Sequence, residues 1–447
     1  MPSLTQDTGA FIAALRYEDI PEAGLASVRN GFTDYTAVTI LGRNDDVTRI
    51  VRKTFAPQPG PSRLCFGAER VDAAGAALVN GASAHAQDYD DVGLVGIQAT
   101  HPSASIAPAV FAEAEALGRS GKDMLTAFVA GYEVWGELAS RDKDPPHLKG
   151  WHSTGTFGAI AAAAAAARLH GLDASRAATA VAIASSMSAG VVANFGSMTK
   201  PYHAGRAAQS GVLAARLAAN GMTATANSLE NDVGFLRCIS PRGEVDVERR
   251  AQYKERWFIA SHGLGFKLFP MCYGAHRALD GMLAQLQETP FGPDDVETIE
   301  VEASKLQFTN LVHTDPHNAL DAKFSMEFAM AASIISRRVT RAEFDDAYVN
   351  RPDVRALMKK VRRKFIETKG RDGDGMVVTL KDGRRLERRF QEPLGHARRP
   401  PPPDAIWMKF EDCTAAALPP ADQRRMFDRL QHADALAGVH ELPVTKG

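Results

Sequence analysis

Four cysteines, Cys65, Cys238, Cys272 and Cys413, are scattered over 447 residues with no C-x-x-C pair among them. That scarcity excludes a disulfide framework, a zinc ribbon and the clustered thiolates of an iron–sulfur site, and a reducing, cytoplasmic location is expected. An excess of either charge is lacking too. Lys and Arg number 52 against 53 Asp and Glu, a formal net charge of −1, so nothing global points to nucleic acid or to a membrane surface. No uncharged apolar run can hold a bilayer position: the longest candidate, FGAIAAAAAAARLHG, is mostly Ala and is bounded by Arg168. The opening MPSLTQDTGAFIAALRYEDIPEAG has neither the basic n-region nor the apolar core of a signal peptide. Nucleotide and hydrolase signatures are also missing, with no G-x-G-x-x-G after a strand, no G-x-x-x-x-G-K-[ST], no G-x-S-x-G and no H-E-x-x-H.

What is present is helix. From about residue 8 to 260 the pattern is helical, Ala-rich and punctuated by Gly and Pro. SGKDMLTAFVAGYEVWGELASR predicts an amphipathic helix capped by Ser120 and Asp123, with Leu125, Phe128, Tyr132, Trp135 and Leu138 along one stripe. Gly171 predicts a stop after His170, Asp173 a cap on the next helix, and HAGRAAQSGVLAARLAANG a further helix ending at Gly221. So many small residues let helix backbones approach closely, and a large bundle with Ala-lined contacts is expected. After about residue 266 the texture changes. VETIEVEAS alternates as a strand with one buried face, and MVVTLKDGRRLERRF reads as a hairpin around the two turn residues Asp382 and Gly383. Between them NALDAKFSMEFAMAASIISRR and DVRALMKKVRRKF read as helices; RRPPPPD then predicts a stiff polyproline connector and PADQRRMFDRLQHADAL a last helix. A smaller α+β unit, residues 267–403, is therefore expected as an insertion in a mainly α chain whose helical domain takes residues 1–266 and 404–447.

Titratable residues interrupt the small-residue sequence in a few places. AHAQDYDDVGLVGIQATHPSAS gathers His85, Asp88, Asp90, Asp91 and His101, for which metal binding, proton transfer and capping of a buried turn are all open. GWHSTGTFGA puts His152 just ahead of a helix start, where backbone N–H groups favour an anion. GSMTKPYHAGRAA holds Lys200, His203 and Arg206; GLGFKLFPMCYGAHRALDG holds Lys267 and His276; LDAKFSMEF holds Lys323. Cations outnumber anions in this set, so a cleft built from it would attract a di- or tricarboxylate and stabilise charge developing on it. Bland readings stand beside these: His85 and Asp88 as caps, His152 as a satisfied residue at a helix start, Lys200 as a solvated side chain before Pro201. H-x-x-D at 85 and 88 with His101 offers zinc or iron ligands, but the spacing fits no structural zinc pattern, and acid–base work ranks above metal binding.

Taken in order, NGASAHAQDYDD, THPSASIAPAVFAEAEALGRSGKDMLTAFVAGYEVWGELA, GWHSTGTFGAIAAAAAAARLHGL, TKPYHAGRAAQSGVLAARLAANGMT and KLFPMCYGAHRALD resemble the MmgE/PrpD family. That family contains 2-methylcitrate dehydratases, cis-aconitate decarboxylases and an iminodisuccinate epimerase. The resemblance implies a large all-helical domain completed by the C-terminal helices, with an inserted smaller α+β lid domain, and a homodimer working without metal or organic cofactor. It implies Asp88, His101, His152, Lys200 and Lys267 as catalytic residues, with Val92 where the decarboxylase branch has a Thr and Phe328 where it has a Tyr. His85, His203, Arg206, His276 and Lys323 are assigned to substrate binding. The leading expectation is cofactor-independent dehydration of a 2-hydroxy polycarboxylate such as 2-methylcitrate. In it the two lysines hold charge on a carboxylate, His152 or Asp88 takes a proton, and His101 or the other of that pair protonates the departing hydroxyl. Decarboxylation, epimerisation or double-bond migration through the same carbanion is the alternative, and a non-catalytic carboxylate-binding protein is the alternative of another class. The expected partner is a small-molecule polycarboxylate, with neither nucleic acid nor membrane.

Overall fold

The structure is a computed structural model that describes residues 3–96, 98–304, 308–367, 374–402 and 404–446. Pro403, the last proline of the expected polyproline connector, lies outside the described residues. The chain divides into two compact units. One runs to Ala193 and includes Met198–Phe266 and the chain from Pro402 on; the other comprises Asn194–Ser197 and Lys267–Pro401.

The first unit is built on the helices α1 (Leu4–Ala14), α2 (Glu22–Gly42), α3 (Asp46–Phe55), α4 (Ala73–His85), α5 (Pro102–Leu117), α6 (Gly121–Ala139), α7 (Ser153–His170), α8 (Ala174–Met187) and α9 (Thr199–Ala219). The helices Ala405–Thr414 and Pro420–Gln431 pack on α2. Surrounded by α5, α6, α8 and α9, α7 has no solvent face for most of its length, which is why an unbroken Ala run from Ala161 to Ala167 suits it. The expected stop at Gly171 (φ +64) and the Asp173 cap on α8 both form. So does the Ser120/Asp123 capping box on α6, but this helix is buried on almost every side rather than along one stripe. Its inward acids are matched to donors: Glu133 accepts the N–H groups of Phe258 (2.9 Å) and Ile259 (2.8 Å), and Glu137 binds Arg141 (2.7 Å) and Arg249 (3.0 Å).

Helices α4 and α9 cross almost backbone to backbone. A Cβ added to Gly205 of α9 would lie 2.1 Å from the Leu78 carbonyl oxygen of α4, and one added to Gly81 would lie 2.7 Å from the Gly205 Cα. Only glycines permit the two axes to approach this closely. The contact sits one turn before His85 ends α4 and little more than one turn after Lys200 opens α9.

The first unit is not all-helical as expected. Two short antiparallel ribbons interrupt it, β1 (Pro59–Arg63) with β2 (Arg70–Val71), and β3 (Gly93–Val95) with β4 (Gln98–Thr100). The second ribbon pairs backbone groups that a bare loop would leave buried and unsatisfied, and it returns the chain from Asp91 to His101.

The second unit carries a sheet of order β6-β5-β7-β8, formed by β5 (Val296–Ala303), β6 (Val361–Phe365), β7 (Gly375–Leu380) and β8 (Arg385–Arg389). Only β5–β6 is parallel. DVRALMKKVRRKF is thus half helix, Pro352–Met358, and half strand: Val361 pairs with Ile299, and Arg363 reaches Glu327, so the basic run that reads as a helix surface serves as a sheet edge. NALDAKFSMEF likewise breaks, with Ser325 capping a new helix, Met326–Ser336. The hairpin connection is three residues, Lys381 to Gly383, with Gly383 at φ +89; the Leu380 N–H bonds the Arg384 carbonyl at 2.9 Å across it. Among the described residues, no helix is long and apolar enough to cross a membrane.

Gly205→Ala should destabilise the protein by about 1–3 kcal/mol, the range for overpacking a dense core, read as a lower urea midpoint. An unchanged midpoint would mean that the α4–α9 crossing has slack.

Candidate active site

Four helix ends and one loop of the first unit bring titratable groups together. His85 closes α4, and the chain turns at once, the Asp88 N–H bonding the His85 carbonyl at 3.1 Å. Asp88 takes φ +50, a left-handed conformation that Asp tolerates better than most residues with a Cβ. Lys200, in the first turn of α9, places its Nζ 2.6 Å from Asp88 Oδ1 and 2.8 Å from His85 Nε2. With Lys200 donating to Nε2, the His85 proton belongs on Nδ1, which donates to Asp90 Oδ1 at 2.8 Å. His101 Nδ1 lies 2.9 Å from Asp90 Oδ2 and 3.0 Å from the Asp91 carbonyl, two acceptors, so it too carries a proton. His101 and His152 occupy the N-cap positions of α5 and α7, and His152 Nδ1 meets His203 Nδ1 of α9 at 3.0 Å. Ring centroids are 4.4 Å apart for His85 and His101 and 6.3 Å for His85 and His152.

Burial sets the charge states. It pushes the His85 imidazole down to about 3, Lys200 and His101 adding to the effect and Asp90 opposing it. His152 is driven well below the usual imidazole range by burial and then by Lys200, and His203 falls to about 4 for the same two reasons. All three rings are neutral at pH 7. Burial alone would raise Asp90, but His85 and His101 hold it well below the ordinary carboxylate range. Since His85 is neutral, what it offers Asp90 is an N–H dipole rather than a full charge; two such donors suffice to keep the carboxylate ionised. Asp91 goes the other way, pushed well up by burial and by Asp34; its carboxyl group meets the Ser103 N–H at 3.2 Å and the Ser103 hydroxyl, at the start of α5.

Of the residues expected to form the site, the structure brings together His85, Asp88, His101, His152, Lys200 and His203. Arg206 turns elsewhere on α9 and bonds Gln209 at 2.7 Å. Lys267, His276 and Lys323 belong to the second unit. There Lys267 is fully buried, His276 donates from Nε2 to the Met271 carbonyl at 3.1 Å, and Lys323 is buried and accepts the Cys272 N–H on its carbonyl at 2.9 Å. Val92 pairs its backbone with Gly265, and Phe328 lies in the second unit's core against Phe344 and Tyr348. Neither Asp90, the hub between two imidazoles, nor Thr154, whose hydroxyl accepts the His101 N–H at 3.2 Å, was among the expected site residues. Asp90 was visible as one of three aspartates in four positions, but nothing local separates a hub from a cap.

His85, Asp88 and His101 bring ligand atoms within 4.8 Å of one another, close enough for a metal ion to be considered. The donor set fits poorly, because the Lys200 ammonium already bonds both His85 Nε2 and Asp88 Oδ1, and a second cation there would meet it directly. The cluster is suited instead to receiving a carboxylate and exchanging protons with it.

The profile of the MmgE/PrpD N-terminal domain matches residues 6–248, and that of the MmgE/PrpD C-terminal domain matches residues 269–433. The chain is similar to a cis-aconitate decarboxylase of Mus musculus, 28% identical over 428 residues that cover 92% of this chain and 86% of that protein. A cis-aconitate decarboxylase of Homo sapiens is 31% identical over 349 residues, 75% of this chain and 71% of its own length. One of Aspergillus terreus is 24% identical over 470 residues, covering 98% and 95%.

The His85 shift makes a prediction with a definite sign. Between about pH 4 and pH 6 the unfolded chain protonates this imidazole, whose ordinary value is 6.5, while the folded protein does not. Unfolding therefore takes up a proton, so the His85 contribution to stability rises with pH through this window and is lost as pH falls. His85→Asn should lower the slope of unfolding free energy against pH by about 1 kcal/mol per pH unit there. Urea titrations at several pH values compare the two slopes directly, and equal slopes would contradict the buried neutral ring.

Proposed function

The chain belongs to the MmgE/PrpD family, and from that premise we propose that it is a lyase of di- or tricarboxylates, with decarboxylation of cis-aconitate as its reaction. The observation that carries the proposal is the buried Lys200 ammonium set among neutral imidazoles, beside the N-termini of α5 and α7. The names of the relatives support decarboxylation over the dehydration expected from the motifs alone.

The chemistry asks for little more than this. Loss of CO2 from the CH2-bound carboxylate of cis-aconitate breaks one C–C bond and moves the C=C bond one position. Negative charge then develops on the carbon beside the far carboxylate, spreading onto its oxygens. Lys200 and the helix N-termini stabilise that charge, and a proton added at the carbon completes the reaction. His152 is the proposed proton donor, since a neutral imidazole, though a weak acid, is well matched to a strongly basic carbanion; His101, whose Nδ1 proton is committed to Asp90 and the Asp91 carbonyl, is proposed to bind the substrate. Asp90 holds the tautomers of His85 and His101. Lys267 is proposed as a second cationic contribution and a homodimer as the working assembly, both supported by the family resemblance; His276 and Lys323 are proposed as further substrate-binding residues.

One observation favours a second reading, dehydration of a 2-hydroxy polycarboxylate. By the family resemblance Val92 and Phe328 take the places of two hydroxyl residues of the decarboxylase branch, and Phe328 is core.

Purified protein given cis-aconitate should release CO2 and form a terminal methylene group visible by proton NMR, whereas C=C formation from 2-methylcitrate or citrate without CO2 would replace this reading with dehydration. Turnover of none of the three would overturn both. Because Lys200 is buried against Asp88, alanine alone would strand a carboxylate at a cost of several kcal/mol, about 3–5. Lys200→Met combined with Asp88→Asn avoids this and should lower kcat by ~10² or more through lost charge stabilisation.

A further inference from the structure

The loop between α4 and β3 is gripped from two sides. On one side Asp88 meets Lys200, and Asp90 meets His85 and His101. Tyr89, between them, points its carbonyl to Lys409 Nζ at 2.6 Å, and the same ammonium lies 4.0 Å from the centroid of the Tyr89 ring. Lys409 comes from the helix Ala405–Thr414, more than three hundred residues further along, and its Nζ is 2.6 Å from Asp34 Oδ1 of α2. Both charged side chains are buried, on helices whose other inward residues, such as Phe410, Cys413, Tyr35 and Val38, are largely apolar.

Stability alone explains this arrangement badly. A buried ion pair recovers little beyond the desolvation of its two charges, and apolar residues of like volume serve as well or better. What the pair does that apolar residues cannot is hold a backbone carbonyl in a fixed direction. Asp88 sits at φ +50, a conformation costing about 1–2 kcal/mol for a residue with a Cβ, so the loop needs an outside anchor to keep it there.

We propose that Lys409 is a positioning residue for the proton-transfer loop: paired with Asp34, it draws the Tyr89 carbonyl away from the cluster and so fixes Asp88 and Asp90 toward Lys200 and the imidazoles. The Asp91 contacts with Ser103 anchor the next residue of the same loop to α5. Burial raises Asp34, with the Lys409 ammonium opposing, so a variant lacking Lys409 leaves Asp34 neutral rather than stranded as a charge. The catalytic side of this inference rests on the polyacid lyase reading; the structural side does not.

The test is Asp34→Asn combined with Lys409→Met, with Lys409→Met alone as the second variant should the pair fold poorly. The first measurement is the NMR signal of the His85 Nδ1–H proton, shielded in its bond to Asp90. Release of the loop should shift this signal or broaden it by exchange with water, in a variant whose melting temperature stays near that of the parent. The second is kinetics on cis-aconitate, where kcat should fall by ~10-fold or more with KM changed much less, the pattern for loss of transition-state positioning. A folded variant with an unchanged His85 signal and unchanged kcat overturns the proposal and leaves Lys409 a plain structural ion pair. A parent protein inactive on every polyacid, with the signal still displaced in the variant, refutes the lyase reading while supporting the anchoring role.

Discussion

A buried ammonium is tolerated only where acceptors meet it from more than one direction, and Lys200 has two at 2.8 Å or closer. Much of the first unit can be read as the means of bringing them there. His85 must end α4 where Lys200 begins α9, which requires the two helices to come into near contact at Gly81 and Gly205. Asp88 must turn back toward the same nitrogen, which its left-handed conformation achieves. Once the ammonium is in place it helps keep His85, His152 and His203 neutral, because a second positive charge in so dry a place is costly.

Around that centre the charges are graded. Ionised Asp90 accepts from two imidazoles, while the equally buried Asp91 and Asp34 are both pushed upward, chiefly by burial. The N-termini of α5, α7 and α9 all open in this region, and the dipoles of these helices favour an anion. Rigid helices, not mobile loops, carry most of the groups, and the single loop involved is tied down by Lys409 and Ser103. An anion arriving here would meet oriented dipoles and one fixed positive charge with little left to reorganise.

The sequence picked out six of the cluster's residues because each interrupts a run of small apolar residues beside a helix end. Arg206 was included for its charge, although three further residues along α9 beyond His203 carry it well round from the Lys200 face; helical periodicity alone argued against it. KKVRRKF misled for the opposite reason, since a short basic run satisfies helix and edge strand equally, and pairing with β5 decided it. The β3–β4 ribbon went unseen because its segments are three residues long, too short for alternation to register.

Helix starts and stops, the Ala-lined packing and the family motifs are properties of neighbouring residues, and the sequence by itself determined them: a serine caps or a glycine stops a helix through energies that act within one turn. Which charges face each other is different. His85 and Lys200 are 115 positions apart, and their contact exists only because two glycines let two helices close on each other. Protonation followed from the same packing. Whether an imidazole is neutral or a carboxylate ionised depends on the water excluded and the donors supplied by distant segments, and only the tertiary structure decided that.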